Sequence, residues 1–331
     1  MSDDTEKRSL TEVTEGTEGR GTASSLSSVS SVRGVFFGAY GVRAGWRIAL
    51  WAGAVVCLVI VFGSAMTAAG VRPSFAAQVS IELAAALFAG WLLLGWIDRR
   101  PLGALGFAMD PAAPRDAAAG LLLGAAAIGV AAGVLVVAGS ARWVADTGTV
   151  PEYVATLARA FVFFAVAAAA EEALFRGYAF QALVQGIGAW PAILVSSALF
   201  AYAHGGNDHV DAIALANIFL AGIMLAVAYL KTRSLWFATA LHLAWNWVMS
   251  ALLDFPVSGL QLNTPLYSAR ETGADWWTGG AFGPEAGVAA TLVIAAGTVW
   301  MLRTRRLSES ARLRELRPLV DTRLEGEWNA R

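Results

Sequence analysis

Apolar residues gather along this chain into blocks of roughly 20, separated by short polar stretches. A helix needs a block of about that length to cross the ~30 Å hydrocarbon layer of a bilayer. Eight blocks can be drawn, over 46–69, 76–97, 117–139, 157–184, 190–204, 212–230, 235–253 and 286–302. The pattern predicts an all-α, polytopic membrane protein with about eight transmembrane helices, its transmembrane domain running over 35–303. Residues 1–34 are rich in Ser, Thr, Glu and Gly and hold almost nothing to bury, which predicts a disordered cytoplasmic tail. No hydrophobic run follows the first residues, so a cleaved signal peptide is not expected. Residues 304–331 set Leu307, Leu313, Leu316 and Leu319 among arginines and glutamates. That is the pattern of an amphipathic cytoplasmic tail resting on the membrane surface or on the protein.

Charge placement orients the spans. Arg43 and Arg47 flank the start of the first, Arg99 and Arg100 follow the second, Lys231 and Arg233 separate the sixth and seventh, and Arg303, Arg305 and Arg306 follow the eighth. The other connections carry only Arg72, Arg142 and Arg270 among Asp146, Asp208, Asp211, Asp254 and Asp275. The positive-inside rule then puts both termini in the cytoplasm of a multi-pass plasma-membrane protein. Trp46, Trp51, Trp91, Trp96, Trp143, Trp190, Trp236, Trp277 and Trp300 fall at or near span ends, where an aromatic belt meets lipid headgroups.

Composition narrows the function classes. Only 15% of the 331 residues are charged and 57% are hydrophobic, whereas a soluble domain carries about 25% charged residues. A net charge of −1 with no basic stripe excludes nucleic acid as a partner and leaves the lipid bilayer. The single cysteine, Cys57, excludes a disulfide framework or a cysteine-built metal site.

Against this apolar background three polar clusters stand out, in a motif-bearing core over 157–253. Ionisable groups cost about 2.5–3.5 kcal/mol each inside a bilayer and are functional suspects by default. The first cluster is Glu171, Glu172 and Arg176. On a helix Glu172 and Arg176 are one turn apart and face each other, while Glu171 points about 100° away from Glu172. One carboxylate is thus held by a cation and the other is free to face a cavity. The second cluster is Phe200 with His204, the third His242 with Asn246, again at helical i, i+4 spacing. All three reach overlapping depths at about 1.5 Å per residue. His209 lies in a polar Gly-Asn-Asp stretch and reads as an exposed loop residue.

Two chemistries suit the set. A Glu in an apolar site is shifted towards a general base and, with a histidine beside it, could activate water for attack on a peptide carbonyl. His242 and the Asn246 amide could then donate to the oxyanion. Alternatively Glu171, His204 and His242 could hold a divalent metal such as zinc, with a bound water. The His-Glu-x-x-His helix of common zinc proteases is absent.

In order, Glu-Glu-x-x-x-Arg (Glu171, Glu172, Arg176), Phe-x-x-x-His (Phe200, His204) and His-x-x-x-Asn (His242, Asn246) resemble the CAAX prenyl protease and bacteriocin-processing family of intramembrane proteases. The turn Asp98-Arg99-Arg100-Pro101-Leu102 resembles bacterial members more loosely. The resemblance implies an eight-helix endopeptidase with a cavity opening to the cytoplasm. Glu171 would be the water-activating base helped by His204, Glu172 and Arg176 would support the site, and His242 with Asn246 would form the oxyanion hole. The substrate would be a peptide or a membrane protein. A catalytically silent scaffold or bacteriocin-immunity protein on the same fold is the alternative. A transporter ranks third, since no internal repeat marks the chain.

Overall fold

The computed structural model describes residues 33–72 and 74–324. The tail over 1–34 therefore lies, apart from Arg33 and Gly34, outside the described residues, as do 325–331. Residues up to Arg43 form a unit of their own. It contains a small antiparallel hairpin of β1 (Phe37–Gly38) and β2 (Gly41–Val42).

From Ala44 onward the chain is mostly helical. The helices are α1 (Ala44–Ala68), α2 (Phe75–Trp96), α3 (Ala113–Val137), α4 (Val150–Phe175), α5 (Tyr178–Ile187), α6 (Ala189–Ala203), α7 (Ala212–Thr232) and α8 (Leu235–Trp247). After these come the single turn α9 (Asp275–Thr278), then α10 (Val288–Arg303), α11 (Ala311–Leu316) and α12 (Asp321–Leu324). A π-helical turn, Val248–Leu252, carries α8 onward. Each of the eight apolar blocks contains a helix. Among the described residues, five stretches are long and apolar enough to cross a membrane: α1, α2, α3, the run Val150–Ile187 and α7. The helices of the fifth and eighth blocks, α6 and α10, are shorter.

The fourth block differs most from expectation. It begins seven residues early, because Thr149 and Glu152 form a capping box: the Glu152 carboxylate accepts from the Thr149 N–H at 2.9 Å while the Thr149 hydroxyl accepts from the Glu152 N–H. The block also breaks in two at Arg176–Gly177 instead of running on to 184. A Cβ on Gly177 would strike the carbonyl oxygen of Ala173, so only glycine permits this turn. α5 then follows as a separate, strongly amphipathic helix.

Close helix approach places the site. Gly120 and Gly124, four apart on α3, lie against the backbone of α8 at Phe237 and Leu241, where any side chain would collide with main-chain oxygens. Small residues let helices in lipid meet backbone to backbone, and this contact fixes the turn of α8 that carries His242. Gly222 of α7 touches Ser197 of α6 in the same manner.

Between the helices, the two ends of the bundle are built differently. At one end β3 (Ala141–Ala145) pairs antiparallel with β4 (Tyr267–Glu271), from Ala141↔Glu271 to Ala145↔Tyr267. Asp254 organises the long connection there: its carboxylate accepts from the Thr264 N–H at 2.7 Å and the Ala269 N–H at 3.0 Å. At the other end, buried Arg47 bonds to Asp98 and Gln185, and the Tyr178 hydroxyl donates to Asp98 at 2.8 Å. The C-terminal segment closes that end. Leu313, Leu316, Leu319, Val320 and Leu324 are buried, Arg233 donates to Asp321 at 2.8 Å, and Gln185 donates to Thr322 at 2.7 Å. Of the two resting places expected for this segment, it occupies the protein. Not every tryptophan is a lipid anchor either. Trp96 is exposed, but Trp51 is buried, and Trp143 and Trp236 donate to the carbonyls of Leu253 and Ala108.

Candidate active site

The three clusters meet. Arg176, the C-cap residue of α4, turns its guanidinium back along the helix. Nη1 donates to Glu172 Oε1 at 3.0 Å and Nη2 to the Gly222 carbonyl at 3.1 Å. The guanidinium carbon sits 4.4 Å from the centre of the Phe200 ring, a cation–π contact. Glu172 and Arg176 are fully buried, while the Glu171 side chain remains about a third exposed. The helical geometry expected of the acidic pair is present.

Glu172 has a second ligand that spacing could not show. His242 Nδ1 lies 3.0 Å from the same Oε1 that Arg176 holds. His204 Nδ1 lies 2.7 Å from the carbonyl oxygen of Phe200. A carbonyl and a carboxylate can only accept, so each imidazole carries its proton on Nδ1. In their neutral forms both therefore turn an Nε2 lone pair outward. These lone pairs point at one place: Glu171 Oε2 lies 3.8 Å from His204 Nε2 and 3.7 Å from His242 Nε2. Glu171 Oε2 is itself buried without a hydrogen-bond partner. Three acceptors thus face a common point, which needs a proton, a water or a cation between them.

Residues 153–248 match the family model described as type II CAAX prenyl endopeptidase, Rce1-like. This is the family the three motifs resemble, and the matched segment contains all of them. No curated protein matches the chain.

A cavity of about 860 Å³ has Glu171 in its wall. His204, His242, Asn246 and Phe200 line it, among apolar side chains of α1, α2, α4, α7 and α8. Phe200 does more than fill space: its ring covers Arg176, lies 4.7 Å from the His204 ring, and its carbonyl sets the His204 tautomer. His209 is exposed, with a left-handed backbone at φ 60°. Sequence reading passed over a further carboxylate, Glu82 of α2, which also lines the cavity. It was legible as an acidic residue inside the second apolar block.

The donor set suits a divalent metal chemically, with two imidazole lone pairs and one carboxylate oxygen. Its spacing is wider than a bound ion would leave it, since tetrahedral zinc holds its donors about 3.3 Å apart. No group of three such side chains among the described residues is arranged to hold a metal ion.

Proposed function

We propose that this chain is an intramembrane endopeptidase that hydrolyses a peptide bond with a water activated by Glu171. The observation that carries the reading is the convergence of Glu171 Oε2 with two outward-facing Nε2 atoms at 3.7 and 3.8 Å, at the wall of a largely apolar cavity. A water between these groups donates one hydrogen to Glu171 and the other to His204. Glu171 takes a proton as the water oxygen attacks the substrate carbonyl, giving a tetrahedral oxyanion. The Asn246 amide donates to that oxyanion. His242 joins it when a second proton resides on Nε2, a form that Glu172 at Nδ1 stabilises. Glu171 then returns its proton to the departing amine, and the C–N bond breaks. Arg176 and Glu172 touch no reacting atom; they hold His242 in position.

The same proposal places all eight apolar blocks in the membrane. The shorter α6, α8 and α10 complete the bundle, and both termini lie in the cytoplasm with the basic clusters. The peptide is free or part of a membrane protein. The test is Glu171→Gln in purified protein with a peptide substrate. We expect hydrolysis to vanish while folding and peptide binding persist. Hydrolysis that survives in that variant and in His204→Ala would leave a silent scaffold or immunity protein as the better reading. Active protein that contains stoichiometric zinc would move the chemistry to a metal-bound water.

A further inference from the structure

Glu82 sits two turns into α2, inside a stretch apolar enough to cross a membrane, and lines the same cavity as Glu171. The other carboxylates at this cavity's heart have partners: Glu172 has Arg176 and His242, and Glu171 faces two imidazoles. Glu285, on the cavity wall within electrostatic reach of His204, accepts from the Ser258 N–H and hydroxyl at 2.6 and 2.7 Å. Glu82 accepts a single side-chain hydrogen bond, from Gln78 one turn earlier at 3.1 Å. Among the described residues no ion pair includes it. Among the described residues the cavity lining carries Glu82, Glu171, Asp208 and Glu285, yet no lysine and no arginine.

A carboxylate exposed to an apolar cavity in a membrane helix is unfavourable unless a positive charge meets it. Among the described residues no lysine or arginine of the cavity wall supplies one, and the two lining imidazoles face Glu171. We propose that the substrate does: the cavity takes an apolar peptide bearing an arginine or lysine side chain, and Glu82 is the residue that selects it. This substrate class rests on the peptidase reading, but the selection itself can be measured as binding. The purely structural role for Glu82, a Gln78 partner steadying α2, predicts no discrimination by ligand charge.

The probe is a fluorescent leucine-rich hexapeptide with one central arginine, compared with its citrulline counterpart of equal shape and no charge. Binding is measured to the full chain in phosphatidylcholine nanodiscs, on a Glu171→Gln background that prevents turnover. The arginine peptide should bind at least tenfold more tightly than the citrulline peptide. Glu82→Gln should bring the two within twofold without weakening the citrulline peptide, and Glu82→Asp should keep part of the preference. Equal binding of the two peptides to the parent, or no binding of either, overturns the proposal. So does a preference that survives Glu82→Gln, or loss of both peptides in that variant, since a side chain that merely holds α2 in place would behave so. Turnover is read separately with Glu171 intact. A chain that binds selectively without cleaving sinks the peptidase reading and leaves selection standing; one that cleaves both peptides alike does the reverse.

Discussion

Two buried polar clusters sit in this bundle, about Arg47 and about Glu171, and they are wired differently. Arg47 gives its two terminal nitrogens to Asp98 and Gln185, Asp98 accepts the Tyr178 hydroxyl, and Gln185 reaches on to Thr322. Both terminal nitrogens meet acceptors while Arg47 Nε has none, and the chain closes over the charge pair with Leu319 and Val320. Around Glu171 the pairing is left incomplete on one side. Arg176, Glu172 and His242 pair their charges with one another, but the next contact outward sets a Glu171 carboxylate oxygen 3.7 and 3.8 Å from two imidazole Nε2 atoms. A network whose charges are paired holds shape, whereas a convergent set of acceptors on a cavity is prepared for something that arrives. The boundary runs between adjacent residues, Glu172 on the closed side and Glu171 on the open one.

The sharpest way to break this comparison is Glu171→Gln. Loss of general-base action should lower hydrolysis by about 10³-fold, with thermal unfolding in detergent left unchanged. If the variant instead unfolds, Glu171 belongs with the closed cluster. Glu172→Ala should do the opposite first. It strands Arg176 uncompensated in a buried site, at about 3–5 kcal/mol, visible as a large drop in the unfolding midpoint before any kinetic reading. Arg47→Ala should cost about 3 kcal/mol by the same logic, leaving Asp98 without its cation. Because it lies at the other end of the bundle, the surviving folded fraction should keep its specific activity.

The smallest effect concerns pH at the strand end of the bundle. Burial pushes the Glu271 carboxyl up to about 7, with Asp275 adding to the shift and the Thr278 hydroxyl opposing it. A carboxyl raised on folding contributes stability that is whole below its unfolded value, near 4.5, and lost as pH climbs through its folded one. Unfolding midpoints should therefore fall between about pH 4.5 and 7, and Glu271→Gln should flatten that decline. A wild-type curve already flat over this window would show the carboxyl to be unshifted.

Much of the site could be read from spacing alone. Four residues on a helix bring Glu172 to Arg176, and one residue sends Glu171 elsewhere, because 100° per residue is a property of any α-helix. Other features needed a different kind of reading. The capping box at Thr149 and Glu152 was present as a local signal and simply outranked by hydropathy. The break at Gly177 also had a local cause, in a glycine whose missing Cβ makes room for the Ala173 carbonyl. No local signal could have joined His242 to Glu172, which are 70 residues apart. The same holds for Glu82 on the cavity wall and for the C-terminal leucines, which chose the protein over the membrane surface.

The sequence by itself determined the helices, their apolar faces and the chemical types of the site, because periodicity and desolvation act over one or two turns. The tertiary structure decided which nitrogen of each imidazole holds its proton, that His242 joins Arg176 on Glu172, and that both Nε2 atoms converge on Glu171. Those outcomes depend on distances of a few ångströms between residues far apart in the chain. The packing of α8 on α3 and α4, and of α6 on α7, sets such distances.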